Sequence, residues 1–291
     1  MRSLLFVPGD SRRKIEKALG NDADALILDL EDSVARQNKP AAREIVAETL
    51  GTRRQSARDA HPALWVRINA LDSGLAEQDL AAVIAGRPAG IVQPKTQGGG
   101  DVGRLSELIG VLEADAGIEA GSTRILAIAT ETARSLFHLG SYDEAGPRLA
   151  AMTWGAEDLS ADLGALTNRR EDGHYADPYK LARTLCLIGA VAAGVQPLDG
   201  IHANFRDLDG LRRDAERGMR DGFTGKVAIH PAQVPVINEV FTPSDDDVAR
   251  ARRIVDAFAE AGDIGVVGFD GEMLDRPHLL RAERLLRRAS R

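Results

Sequence analysis

The feature that most constrains the fold is a recurrence. Short runs rich in Val, Ile and Leu, bounded by Gly, Pro or acidic residues, return along most of the chain and alternate with segments of helical spacing. The runs are Ser3 to Val7, Ala25 to Leu30, Leu64 to Ile68, Gly90 to Gln93, Ile125 to Ala129, Ala150 to Trp154, Leu198 to His202 and Lys226 to Ile229. They are continuous rather than alternating, the pattern of strands buried on both faces. Helical spacing covers Ser11 to Leu19, Lys39 to Leu50, Gly74 to Ala85, Asp101 to Glu113, Pro178 to Ala193 and Leu208 to Asp221. Alternating strands and helices imply a parallel sheet, whose neighbouring strands need crossover connections. Eight such units at a spacing of about thirty residues fit a closed (β/α)8 TIM barrel better than an open doubly wound sheet.

A barrel of this kind uses about 250 residues, and the chain has 291, so a tail remains. It begins near Pro243 and holds a charged helix, Ser244 to Ala261, a Gly-rich strand-like piece, Ile264 to Asp270, and a Leu- and Arg-rich helix starting around Pro277. The expected organisation is a catalytic barrel over 1–242 and a C-terminal helical lid or extension over 243–291. With 37 Lys plus Arg against 44 Asp plus Glu, the net charge of −7 argues against a general nucleic-acid binder. Cys186, the single cysteine, cannot form an intrachain disulfide, and the opening MRSLLFVPGD has too short an apolar run for a signal peptide or a membrane span. A reducing cytoplasm, with no membrane partner, is the expected location.

In a (β/α)8 barrel the active site lies at the C-terminal ends of the strands. The residues there are unusually polar: Asp29, Glu31 and Asp32 after the second run, Arg67 and Asn69 after the third, Lys95 after the fourth, Glu131 after the fifth, Glu157 and Asp158 after the sixth, and His230 after the eighth. Carboxylates clustered in a confined mouth repel one another unless protons or a cation neutralise them. An all-oxygen set without Cys or paired His suits Mg²⁺ rather than zinc. Arg67 would then face a chelating substrate such as a 2-oxo acid, as a fixed cation for its carboxylate or a developing oxyanion. The competing reading is that these acids cap the helices following each strand. The first βα turn, Pro8 to Lys14, places Arg12, Arg13 and Lys14 at a helix N-terminus that is already partly positive. A bound phosphate would resolve that conflict, and solvation of the three side chains is the alternative. Cys186 reads as a packed thiol, Trp154 as core, and His230 as a histidine held by a hydrogen bond, with a ligand or base role as the alternative. His174 and Tyr175 fall in a long loop, Thr167 to Asp177, suited to closing over a ligand.

Taken in order, Leu5-Phe6-Val7-Pro8-Gly9, Ala25-Leu26-Ile27-Leu28-Asp29-Leu30-Glu31-Asp32-Ser33-Val34, Val66-Arg67-Ile68-Asn69, Gln93-Pro94-Lys95, Glu131-Thr132-Ala133, Gly155-Ala156-Glu157-Asp158-Leu159, Gly225-Lys226-Val227-Ala228-Ile229-His230-Pro231 and Asp270-Gly271-Glu272-Met273-Leu274-Asp275 resemble, almost end to end, the citrate lyase beta-subunit-like and malyl-CoA lyase-like family of CoA-ester lyases. That family lies within the metal-dependent 2-oxo-acid aldolase superfamily. The resemblance implies that Glu131 and Asp158 bind Mg²⁺, with Mn²⁺ as an alternative, and that Glu31 and Asp32 hold the metal's waters. It further implies that Arg67 stabilises the oxyanion and that Arg12, Arg13 and Lys14 receive the phosphates of CoA. Asp275 would lie on a C-terminal segment that closes the mouth, often that of a neighbouring subunit in a homotrimer or hexamer. The implied reaction is reversible Claisen-type cleavage of a 3-hydroxyacyl-CoA ester to acetyl-CoA and a 2-oxo acid. A carrier-dependent citryl lyase subunit, a malyl-CoA thioesterase and a pyruvate-type metal aldolase are the alternatives.

Overall fold

The structure is a computed structural model that describes residues 1–56, 61–262 and 264–289. Its first strands and helices are β1 (Ser3–Pro8), α1 (Arg12–Leu19), β2 (Ala25–Asp29), α2 (Lys39–Ser56), β3 (Ala63–Arg67), α3 (Ala76–Val83), β4 (Gly90–Gln93) and α4 (Gly99–Asp115). They continue as β5 (Arg124–Ile128), β6 (Leu149–Thr153), α5 (Glu157–Asp162), α6 (Asp177–Ala192), β7 (Gln196–Pro197), α7 (Leu208–Asp221), β8 (Lys226–Ala228) and α8 (Gln233–Phe241). The eight strands form one parallel sheet in the order β7-β6-β5-β4-β3-β2-β1-β8. A parallel bridge between Asp199 and Lys226 joins its two ends: Asp199 N–H donates to the Gly225 carbonyl at 2.8 Å, and Val227 N–H donates to the Asp199 carbonyl at 3.0 Å. The sheet is therefore a TIM-type barrel, as the recurrence of apolar runs implies.

All five residues of β2 are buried, which explains why its sequence does not alternate. Leu4, Ala25, Ile27, Trp65, Val92, Leu126, Ile128, Ala151, Leu198 and Val227 form one buried cluster drawn from all eight strand positions, the filled interior expected of a barrel rather than a pore. Cys186 is fully buried on α6, in keeping with a packed thiol.

The seventh strand differs from its expected span. Regular pairing covers Gln196–Pro197 and continues only as the Asp199 bridge, so His202 lies in the following loop. Pro197 has no N–H for the ladder. Gly200 turns the backbone so closely past Trp154 that a Cβ there would meet the Trp154 carbonyl at 2.8 Å. Between β5 and β6 the chain forms 3₁₀ turns over Arg134–Glu144, a segment without a clean helical period in the sequence.

By its internal contacts the chain divides into two compact units, Met1–Asn238 and Glu239–Arg291. The second contains α9 (Asp245–Ala261), β9 (Val266–Phe269), β10 (Glu272–Asp275) and α10 (Arg276–Ala289). Ser244 caps α9, its Oγ accepting from Asp247 N–H at 3.1 Å. The two strands pair antiparallel through a turn at Asp270 and Gly271, whose φ values of 47° and 83° are those of a type I′ hairpin. Phe258, Val267, Phe269 and Leu274 make this unit's small core. Among the described residues, no helix is long and apolar enough to cross a membrane.

Candidate active site

Parallel pairing carries the C-terminal ends of the strands to one rim, and the polar residues read from the sequence collect there. Arg67, the last residue of β3, grips Asp29, the last residue of β2, through two parallel hydrogen bonds: Nε to Oδ1 and Nη2 to Oδ2, both 2.7 Å. Arg67 Nη1 also stands 2.9 Å from Glu31 Oε2, and its guanidinium lies over the Phe6 ring, 4.6 Å from the centroid. Burial alone would raise the Asp29 carboxyl, but the Arg67 fork overrides it and holds Asp29 below the usual carboxylate range. Arg67 is thus a charged, oriented and largely buried cation.

The β2–α2 loop that carries Glu31 and Asp32 is fixed from below. Lys39 Nζ donates to the carbonyls of Leu30 and Glu31 at 2.8 and 2.9 Å and to Asn69 Oδ1 at 2.7 Å. Asn69 is held in turn by the buried Asp79.

Glu131, past the end of β5, is only 4% exposed. Its Oε2 accepts from the backbone N–H of Lys95 at 2.5 Å. Gly155 leaves it room, since a Cβ at that position would lie 2.9 Å from Glu131 Cγ. Burial, reinforced by the charges of Asp158 and Glu31, pushes the Glu131 carboxyl up from 4.5 to about 8. Burial likewise raises Glu31. Asp158 stands in the first turn of α5, where a helix N-terminus favours a carboxylate.

Lys95 joins these acids. Its Nζ lies 2.5 Å from Glu31 Oε1, 3.2 Å from Asp158 Oδ1 and 3.3 Å from Asp32 Oδ2. Among the described residues, no three His, Cys, Asp or Glu side chains already form a metal-ligand group, and the acids meet through this ammonium instead. The donor set nevertheless suits a hard divalent cation. It is all oxygen, Glu131 is buried and crowded by the charges of Asp158 and Glu31, and Glu31 Oε2 is buried without a hydrogen-bond partner among the described residues. Arg67 Nη1, 2.9 Å away, is an ion-pair partner of that oxygen, so a lone pair remains for a water proton.

Arg12, Arg13 and Lys14 are exposed in the first turn of α1, and Arg12 Nη2 pairs with Glu48 at 2.5 Å. Ser11 precedes them as an N-cap that makes no side-chain capping bond. Asp275 closes β10 in the second unit, half-exposed, with its Oδ1 2.5 Å from His278 Nδ1. That contact holds Asp275 below the usual carboxylate range. The structure thus gathers Glu31, Asp32, Arg67, Glu131 and Asp158 at one barrel rim and gives Asp275 a local partner of its own.

A model of the HpcH/HpaI aldolase/citrate lyase family matches residues 2–231, and one for C–C bond lyases of the TIM-barrel fold matches residues 180–291. The chain belongs to the HpcH/HpaI aldolase/citrate lyase family. Its motifs resemble that family for this reason. It is 36% identical over 290 residues to a (3S)-malyl-CoA thioesterase of Cereibacter sphaeroides, an alignment that covers 99% of this chain and 94% of the relative. It is 35% identical over 285 residues to a citrate lyase subunit beta-like protein of Mycobacterium tuberculosis, covering 98% and 94%. The crystal structure of CitE from M. tuberculosis in complex with magnesium, acetoacetate and coenzyme A superposes with a TM-score of 0.79 at 34% identity, covering 100% of this chain and 98% of that one.

Sequence reasoning gave no role to several residues that organise this member of the aldolase/citrate lyase family. Lys95 appeared only as a strand-end cation, and Asp29, Lys39 and Asn69 are supports visible only in three dimensions. Trp154 is core, as expected, yet its Nε1 donates to the buried Asp199 at 2.7 Å and its ring meets Tyr175 edge-on, which ties down the Thr167 to Asp177 loop. His230 is held as expected: its Nδ1 accepts from Ala232 N–H at 3.2 Å and its ring stacks on Phe205. His202, buried, pairs through Nδ1 with Asp214 on α7 at 2.8 Å. The Asp270-Gly271 dipeptide was the one missed signal of wide use, because Asp-Gly between short apolar runs marks a hairpin, and β10 with Asp275 follows from it.

Proposed function

We propose that the protein is a Mg²⁺-dependent carbon–carbon lyase that reversibly cleaves a 3-hydroxyacyl-CoA ester of the malyl-CoA or citramalyl-CoA type to acetyl-CoA and a 2-oxo acid. The observation that carries this reading is the rim itself, where buried, proton-hungry Glu131 faces Asp158 and Glu31 beside an oriented Arg67, with Asp32 tied in through Lys95. Solved relatives whose names include magnesium together with acetoacetate and coenzyme A, with oxaloacetate, or with pyruvate support the same substrate class.

Glu131 and Asp158 would hold Mg²⁺, or Mn²⁺ in its place, with Glu31 and Asp32 accepting hydrogen bonds from its waters. When bound, the ion supplies Lewis acidity toward the substrate's carboxylate and hydroxyl oxygens. Arg67 stabilises negative charge developing on the oxygen of the departing 2-oxo acid, and because Asp29 fixes its plane it does so without reorganising. Loss of the 3-hydroxyl proton to solvent and cleavage of the carbon–carbon bond leave the 2-oxo acid and a thioester enolate. Asp275, delivered by the C-terminal segment of a neighbouring subunit in a homotrimer or hexamer, protonates its carbon to give acetyl-CoA, and removes that proton in the condensing direction. Arg12, Arg13 and Lys14 receive the phosphates of CoA.

A second reading, hydrolysis of the thioester, is favoured by the 36% identity to a (3S)-malyl-CoA thioesterase. One experiment separates the two. Purified protein is incubated with malyl-CoA or citramalyl-CoA, with Mg²⁺ or with EDTA, and the products are followed by mass spectrometry. Metal-dependent acetyl-CoA with glyoxylate or pyruvate is the result expected of the lyase. Free CoA without a new 2-oxo acid would replace that reading by the thioesterase. Inertness toward both esters would remove this substrate class.

A further inference from the structure

Lys95 engages four acids of the rim, Glu31, Asp32, Glu131 and Asp158, and it does so from an uncommon backbone. Its φ of 51° lies in the left-handed region, shared among the described non-glycine residues only by Arg87 and Asp270. Those two have local reasons, Arg87 at the end of a helical turn and Asp270 in a hairpin turn. Lys95 has neither. A non-glycine residue in the left-handed region costs energy, and such residues cluster at functional sites. Here the conformation turns the backbone N–H onto Glu131 and sends the side chain to Glu31, Asp32 and Asp158. The second rim cation is already committed, since Arg67 spends its fork on Asp29.

We propose that Lys95 is a built-in occupant of the cation site: its ammonium holds Glu31, Asp32 and Asp158 together in the metal-free protein and must give up Asp158 when a divalent cation enters. Lys95 is in this sense a positioning residue that weakens metal binding while it keeps the empty site assembled. The inference rests on the metal-binding reading above. An ammonium on a flexible four-carbon stem is a compact point charge that can leave one carboxylate and keep another, and Asp32, whose side chain is 58% exposed, offers it a wet partner. Two like charges cannot share Asp158 at low cost in a half-buried mouth, so the lysine and the metal compete.

The test is calorimetric titration of the metal-free protein with Mg²⁺ or Mn²⁺ alone, without substrate, paired with thermal unfolding in EDTA. Lys95→Met removes the charge and keeps the strained backbone. Lys95→Gly removes both and supplies a folded variant if the first does not fold. Each is expected to bind Mg²⁺ at least about tenfold more tightly than wild type. Each is also expected to melt earlier than wild type in EDTA at pH 8, with the gap closing in saturating Mg²⁺. Lys95→Arg, which restores a cation, is expected to return to weak binding. A purely structural lysine predicts the opposite sign, because loosened ligands bind metal less well. Unchanged or weaker binding by folded Lys95→Met or Lys95→Gly would overturn the proposal while leaving the metal site standing. No binding by wild type or any variant would overturn the metal reading and this inference together.

Discussion

Glu131→Gln in the metal-free protein should remove the pH dependence that the native residue imposes on stability. The folded protein holds the Glu131 carboxyl near 8, against 4.5 for an ordinary glutamic acid, because it is 4% exposed and faces Asp158 and Glu31. Between those values the folded state binds more protons than the unfolded chain, so stability falls as pH rises. From pH 5 to pH 8 the loss from this one group is about 3 kcal/mol, using 1.36 kcal/mol per pKa unit. For a unit of this size that is a drop of about 6–12 °C in melting temperature. Gln is neutral throughout and keeps an oxygen for the Lys95 N–H, so the variant should lack this slope and melt above wild type at pH 8 in EDTA. The assay is thermal unfolding of both proteins in chelator across pH 5 to 8, because groups common to both cancel in the difference. Saturating Mg²⁺ should remove the wild-type penalty by binding the ionised carboxylate, with a stabilisation that grows with pH and is absent from the variant. Parallel pH profiles for the two proteins in EDTA would refute the account of Glu131 as a buried, charge-crowded acid.

Arg67→Lys retains a cation but loses the two-pronged grip on Asp29, and turnover of a CoA ester is expected to fall about a hundredfold, as read from kcat. Gly155→Ala pushes a methyl onto Glu131 Cγ, where only 2.9 Å is available. Mg²⁺ affinity by calorimetry should weaken about tenfold. Asp275→Asn should leave acetyl-CoA binding intact and abolish most turnover, so wild-type rates would remove Asp275 from the reaction. Glu113→Gln addresses stability alone. Glu113 accepts two bonds from Arg148, at 2.9 and 2.5 Å, with both side chains buried away from the rim. Denaturant unfolding should show a loss of about 3 kcal/mol from the uncompensated arginine, with activity per folded molecule unchanged.

The fold was legible because its cause is local. A strand covered on both faces has to be apolar at every position, so β2 announces itself without any tertiary information, and eight such strands with crossovers leave few architectures other than a barrel. The acids of the rim were legible for a related reason: a barrel strand's last residue and its successors must face the mouth, so Glu31, Asp32, Arg67, Glu131 and Asp158 could be placed by counting. The seventh strand was legible only in part, because Pro197 and Gly200 cut its pairing to a length no apolar count reveals.

What the sequence by itself determined, then, is the list of chemical groups and the rim on which they stand, since both follow from strand order and period. Only the tertiary structure decided how those groups are charged and coupled. Glu131 has an ordinary formula, and its raised affinity for a proton exists because water is excluded and Asp158 comes from the helix after the next strand. Lys95 is one cation among 37 Lys and Arg until a left-handed turn at φ 51° brings its amide to one acid and its ammonium to three others. Electrostatic energies depend on distance and desolvation across the fold, and neither is a property of neighbouring letters in the chain.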